Sequence, residues 1–304
     1  LARRASSSSS LGCLPIYTHS DYTLALPVKH TFPMERYCGV ETALLAAARR
    51  VGDWEKIKLC KPPLATRAEV ELAHCPEYVR RFAEGELTAK EIRTIGFPFS
   101  DALVQRTWRI TGATIEATRD VLAGGYSHAA NLAGGTHHAF RDSGEGFCII
   151  NDIAVAARVA QHEYGIRKIV VIDLDVHQGN GTASMLREDP DVYTFSLHGE
   201  ANYPWKSRVL GDLDIGLGDD VTAEEYLAAV SSGLATIDDV FLKSDDGQPP
   251  LVFYQAGVDP LAEDRLGRLS LTHADLRARN ALVYEWAAKH AAKVVVTMGG
   301  GYSR

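Results

Sequence analysis

Lys168-Ile169-Val170-Val171-Ile172-Asp173-Leu174-Asp175-Val176-His177 is the stretch that decides the fold class. Its first half is apolar and β-branched without alternation, the pattern of a strand buried on both faces of a parallel sheet. Its second half carries two carboxylates and an imidazole. With the two-residue period of an extended chain, Asp173, Asp175 and His177 share one side, and Leu174 and Val176 the other. Three polar groups then converge at a strand's carboxyl end, where open parallel sheets place ligands. Carboxylates withdrawn from water need a counter-charge, and two of them beside an imidazole suit a divalent ion. A salt-bridged strand end capped by His177 is the competing interpretation.

From about residue 100 onward, long amphipathic stretches alternate with short β-branched runs that end in Gly, Asp or His instead of a tight hairpin turn. This rhythm predicts βα units. Strands are expected at 129–133, 168–174, 191–197, 250–255 and 293–298. Helices are expected at 101–124, 151–164, 223–242 and 274–291, the last two capped by Thr222 and Thr272. No linker divides them, so they define one α/β domain: a doubly wound parallel sheet with helices on both faces. Two connections, 134–150 and 198–221, are longer than such units need and rich in Gly, His and aromatic residues. Loops of that kind belong with the ligand at the sheet's carboxyl edge.

Three more clusters follow strand candidates. His137-His138, in a glycine-rich loop, offers two imidazoles for proton transfer near neutral pH, or simply an exposed pair. Asp259, just past 250–255, would complete an Asp, His, Asp set with a coordination position left open, the catalytic arrangement for zinc; alone, an aspartate before Pro260 is a turn residue. Gly299-Gly300-Gly301-Tyr302 lets backbone approach a ligand and presents a hydroxyl to a developing oxyanion, or forms a turn with a packed tyrosine. All four clusters fall at one edge of the expected sheet.

Composition narrows the function classes. The chain has 304 residues, 46% apolar and 23% charged, enough to bury a core and far from a disordered composition. Its net charge of −7, without a basic stripe, argues against nucleic acid as a direct partner. No run approaches the roughly 18 apolar residues of a membrane span. The five cysteines are scattered and never spaced C-x-x-C, which suits a reducing compartment. Residues 1–13 form a separate segment, disordered or transit-peptide-like: Arg3, Arg4, serines 6–10 and no acidic residue point to plastid or mitochondrion, and a frayed terminus on a cytoplasmic or nuclear protein is the alternative. Oligomeric state is not written in the composition.

Gly134-Gly135-Thr136-His137-His138-Ala139, Gly146-Phe147-Cys148, Asp173 through Gly181 and Gly299-Gly300-Gly301-Tyr302, in that order, resemble the zinc-dependent histone deacetylase and acetylpolyamine amidohydrolase superfamily. His30 to Tyr37, with Asp264-Arg265-Leu266-Gly267, resembles its class IV branch. The likeness spans about Leu14 to the end, a catalytic domain over 14–304 that stops where a further C-terminal element is expected. It implies an arginase-like α/β fold and hydrolysis of an N-acyl amine, most often acyl-lysine in histone or other proteins. Asp175, His177 and Asp259 would bind zinc. His137 and His138 would move protons, supported by Asp173 and Asn180, and Tyr302 would polarise the carbonyl. Gly146, Phe147, Tyr203 and Gly300 would line the substrate path. Asp173, Ser196 and Leu197 would hold a structural potassium ion.

Two positions depart from the family pattern. Asn180 stands where several members have aspartate, so His138 is expected to stay neutral and act first as base. Tyr203-Pro204-Trp205-Lys206 replaces a glycine-containing turn at the rim. The alternatives carried forward are an acetylpolyamine or small-amine deacetylase, a long-chain fatty-acyl-lysine hydrolase and a non-enzymatic acyl-lysine binding module; a binuclear manganese ureohydrolase of related fold is disfavoured, because only one Asp, His, Asp set is evident. Zinc and iron both accept the ligand set.

Overall fold

A strand with no polar face has to be covered twice, and all five residues of Ile169–Asp173 are buried in the computed structural model, which describes residues 13–243 and 247–303. The expected N-terminal segment, apart from Cys13, lies outside the described residues. Eight strands form one sheet: β1 (Leu14–Tyr17), β2 (Ile57–Cys60), β3 (His128–Asn131), β4 (Ile169–Asp173), β5 (Val192–Gly199), β6 (Leu213–Leu217), β7 (Leu251–Gln255) and β8 (Lys293–Thr297). Their order is β2-β1-β3-β8-β7-β4-β5-β6, and every pair is parallel. The helices are α1 (Arg36–Val51), α2 (Arg67–Glu71), α3 (Pro76–Ala83), α4 (Ala89–Ile95), α5 (Asp101–Leu122), α6 (Asp152–Tyr164), α7 (Asn180–Leu186), α8 (Ala223–Val240) and α9 (His273–Lys289). Among the described residues, no helix is long and apolar enough to cross a membrane.

The strand period divides the core in two. Ile169 and Val171, with Leu251 and Phe253, pack on one face against α5 and α6; Val170 and Ile172, with Val252 and Tyr254, pack on the other against α8 and α9. Burying each such side chain contributes about 1.5–3 kcal/mol, so a polar substitution at any of them would unseat a helix layer. The doubly wound arrangement with helices on both faces is therefore observed. Thr222 and Thr272 close capping boxes with Glu225 and Asp275, as expected for helix starts.

The connections explain why one edge carries the chemistry. Strands β4 and β7 are neighbours, yet α7, which follows β4, packs Leu186 into the first core, whereas α9, which follows β7, packs into the second. The chain thus leaves adjacent strand ends in opposite directions and opens a crevice between them, the switch point where such sheets bind ligands. The four strands that precede the four clusters, β3, β8, β7 and β4, are consecutive in the sheet.

Three strands and five helices were not anticipated. The 198–221 connection is not a simple loop: it contains the end of β5 and all of β6, an edge strand whose Asp214 and Gly216 interrupt the apolar pattern. Strands β1 and β2 have four residues each and include Pro15 and Lys58, too short and mixed to announce themselves.

Candidate active site

The histidine loop is shaped by one buried carboxylate. Asp152, the first residue of α6, accepts from Gly135 N at 3.2 Å, Thr136 N at 2.8 Å and Thr136 Oγ1 at 2.5 Å. Gly134 is required there, because its φ is +75° and a Cβ would fall 2.4 Å from Asp152 Oδ2. The turn delivers His137 and His138 side by side, ring centroids 4.1 Å apart.

Each imidazole has its own anchor. His137 Nδ1 lies 2.6 Å from Asp173 Oδ2, and His138 Nδ1 lies 2.7 Å from Asn180 Oδ1. Asn180 Nδ2 donates to Glu145 Oε1 at 2.7 Å and to Ser207 O at 2.9 Å. Both of those partners accept only, so the amide presents its oxygen to His138, whose Nδ1 must carry the proton. Nε2 is left as the basic nitrogen. Burial, reinforced by the neighbouring His137 and His177, pushes His138 well below the usual imidazole range. Burial also disfavours His137 as a cation, but the carboxylates of Asp173 and Asp175 outweigh it and raise its pKa to about 9. Two adjacent rings are thereby driven apart in proton affinity.

The third cluster is Asp175, His177 and Asp259, all buried, with one ligand atom from each within 4.8 Å of the others. His177 Nδ1 sits 2.9 Å from Asp175 Oδ1 and 3.0 Å from Asp259 Oδ2. A single ring nitrogen cannot serve two carboxylate oxygens with one proton, and Asp259 Oδ2 is buried without a hydrogen bond. Burial and the charge of Asp175 push the Asp259 carboxyl up to about 7. A cation between these atoms resolves all three strains at once, so the residues fit a divalent metal. The surroundings aim them: Gly300 N and Gln255 Nε2 donate to Asp175 Oδ2 at 2.7 and 2.9 Å, and Val176 N donates to Asp259 Oδ1 at 2.9 Å. A Cβ at Gly300 would fall 2.0 Å from Asp259 Oδ2, so this glycine lies against the metal group, where it also borders a small inner cavity.

Tyr302 faces this group, its ring 6.1 Å from that of His177. Burial and the Asp175 charge raise its hydroxyl well above the usual tyrosine range, keeping it a donor. Its backbone is clamped. Tyr302 N donates to Asp264 Oδ2 at 2.5 Å, Arg265 Nε donates to Tyr302 O at 2.7 Å, and Arg36 holds Gly299 O and Gly301 O at 2.8 and 2.9 Å.

An outer cavity of about 610 Å³ leads from the surface to His138, His177 and Tyr302, with Phe147 and Tyr203 among its walls. Phe147 has a left-handed φ of +65°, unusual for an aromatic residue. It is pinned there by Phe147 N to Ile95 O at 2.7 Å and Gly146 N to Thr94 O at 3.2 Å, at the end of α4. Asp173 and Ser196 are register partners on β4 and β5, with Leu197 adjacent. Asp173 is engaged by His137 and by Asp175 N, and Ser196 Oγ lies 3.0 Å from His198 Nδ1.

Sequence inspection did not single out Gln255, Glu145 or the tethering roles of Arg36, Asp264 and Arg265. A glutamine ending the otherwise apolar run of β7 was the available signal for the first. The buried Arg279, which donates to Leu174 O and Gly257 O beneath the metal group, offered none.

A buried Asp, His, Asp set beside paired histidines at the switch point of a parallel sheet is the equipment of a metal-dependent hydrolase. Residues 30–304 match the model of the histone deacetylase domain. The chain belongs to this family and is an amidohydrolase of it. It is 40% identical over 290 residues to an uncharacterised protein of Picosynechococcus, covering 95% of this chain and 92% of that one. It is 28% identical to the histone deacetylase-like amidohydrolase of Pseudomonas aeruginosa, over 82% of this chain and 67% of the relative. The solved structure of a histone deacetylase homologue from Aquifex aeolicus superimposes with a TM-score of 0.77 at 25% identity, covering 95% and 79% of the two chains.

Proposed function

We propose that the protein hydrolyses the side-chain amide of short-chain acyl-lysine, acetyl above all. The observation that carries this is the orphaned Asp259 oxygen in the Asp175, His177, Asp259 group, directly beside a histidine whose basic nitrogen is free. The donor set suits zinc or iron(II). When bound, the ion supplies Lewis-acid activation of water and of the amide carbonyl. The neutral Nε2 of His138 takes the proton of the attacking water, and the Tyr302 hydroxyl donates to the carbonyl oxygen as negative charge develops. As the C–N bond breaks, the protonated Nε2 of His138 gives that proton to the departing amine nitrogen, while His137, held by Asp173, fixes the neighbouring ring in place. Retention of every one of these groups favours an enzyme over a binding module.

Acyl length follows from the space below. An inner cavity of about 30 Å³, bordered by Arg36, Tyr37, Arg106, Phe147 and Tyr302, is the room beyond the metal group. That volume holds about two waters, enough for an acetyl methyl and too little for a fatty chain. Forcing a longer chain into a packed site costs about 1–3 kcal/mol, or roughly 5–160-fold. Acetyl-lysine peptide is expected to exceed octanoyl- and myristoyl-lysine peptides by that margin in kcat/KM; equal rates would remove the short-chain assignment.

The two segments that resemble the class IV branch meet at Tyr302, Arg36 on the glycine turn and Arg265 on Tyr302 O and Thr31 O, which favours membership of that branch. Asn180 makes a separate prediction. The base must be neutral, so protonation of His138 sets the acid limb of kcat/KM. Asn180→Asp puts a carboxylate on Nδ1, raises the pKa of His138 and moves that limb to higher pH. A pH–rate profile whose acid limb stays in place would assign the base elsewhere.

A further inference from the structure

Within the acyl-lysine reading, on which this inference rests, we propose that the mouth of the site selects substrates with a carboxylate next to the acylated lysine. Among the described residues, the charged side chains lining the outer cavity, apart from its histidines, are Arg265 and Arg268, and no Asp or Glu lines it. Arg268 is paired with Asp219. Arg265 is different. Its Nε and Nη2 donate to two carbonyls, Tyr302 O and Thr31 O at 3.1 Å, which fix the guanidinium without neutralising it. It has no ion pair among the described residues. The adjacent Asp264 is spent on three backbone groups: Tyr302 N, Leu266 N and Gly267 N. Of the other nearby acids, Glu263 faces His273 and Glu200 faces Arg208.

A tethered guanidinium with one edge unused is a site for a planar carboxylate. The same cavity is lined by Trp205, 74% exposed and set edge-on against Tyr203 at 5.5 Å, a surface for the flanking backbone of a substrate. The chain's net charge of −7 draws cations from a distance, but screening over roughly 8–10 Å leaves the local charge to decide at contact. Acylated polyamines bring ammonium groups to this mouth and find no carboxylate. The carboxylate has two sources: the α-carboxyl of free Nε-acetyl-lysine, or an Asp or Glu beside acetyl-lysine in a peptide.

The test measures kcat/KM of the metal-loaded full chain on five substrates: Nε-acetyl-lysine, its α-amide, acetyl-lysine peptides flanked by Asp or by Lys, and N-acetylputrescine. About a tenfold preference for the carboxylate-bearing member of either pair, diminished by salt, is expected, and the pair that shows it identifies the source. The preference should vanish in Arg265→Gln and persist in Arg265→Lys. Because it is a ratio within each variant, a general loss of rate from loosening Tyr302 does not enter. Ratios near one in the wild type, or unchanged in Arg265→Gln, overturn the selectivity and leave the acyl-lysine reading intact. Turnover of N-acetylputrescine alone overturns that reading and the selectivity with it.

Discussion

Tyr302→Phe is expected to lower kcat by roughly 10²–10³-fold, about 2.7–4 kcal/mol, the usual cost of removing one oxyanion donor. KM for acetyl-lysine peptide and the amount of bound metal should hardly change. The expectation is sharp because residue 302 is positioned by its backbone, through Asp264 and Arg265, so losing the hydroxyl leaves the loop tethered. The hydroxyl is also held in its protonated form by burial and the Asp175 charge, so it donates across the working pH range. Steady-state kinetics with metal analysis on both proteins checks this. Equal turnover would mean that the carbonyl oxygen is stabilised without Tyr302.

Asp259→Asn is expected to separate metal binding from folding. Asparagine keeps an oxygen for Val176 N, so the turn after β7 should form. It removes a carboxylate from the donor set, and affinity should fall by more than the 10–100-fold typical of losing a supporting partner. In the metal-free protein the sign reverses. The wild-type Asp259 carboxyl is raised to about 7 by burial and by Asp175, so its ionisation costs stability that grows as pH rises from the unfolded carboxyl range and is complete above about 7. Above that pH, the metal-free variant should melt at or above the metal-free wild type. Adding metal at about 100 times Kd stabilises the wild type by about 2.7 kcal/mol, a rise of roughly 5 °C, and should do little for the variant. Thermal melts with and without metal decide it; a full metal-induced rise in Asp259→Asn would remove Asp259 from the donor set.

What the chain announced before folding was local. Ile169–Asp173 could be read because a strand buried on both faces needs no partner to identify it, and Thr222 and Thr272 because an N-cap is a choice of one residue at the head of its helix. The clusters at His137, Asp173, Asp259 and Gly299 were legible as polar and glycine punctuation after apolar runs. Their gathering at one sheet edge followed from each cluster ending a strand, but which strand ends are neighbours did not. That depends on β7 and β8 returning between β3 and β4, an order fixed by packing across the whole chain. The supporting groups were hidden for the same reason: Arg36 is 263 residues from Gly299, whose carbonyl it holds, and nothing around it marks that destination. Helices α2, α3 and α4 have only 5, 8 and 7 residues, too short for a helical period to stand apart from a buried strand, and the size of the inner cavity is a property of packing alone.

Amide hydrolysis at this site should depend on one divalent ion gripped by Asp175, His177 and Asp259 together. The most direct test strips the protein with a chelator, titrates Zn²⁺ back and follows bound ions and acetyl-lysine hydrolysis in the same samples. Stripping should abolish activity, and activity should return in proportion to occupancy, saturating at one ion per chain. Full activity in the stripped protein, or saturation without any recovery of hydrolysis, would contradict this dependence.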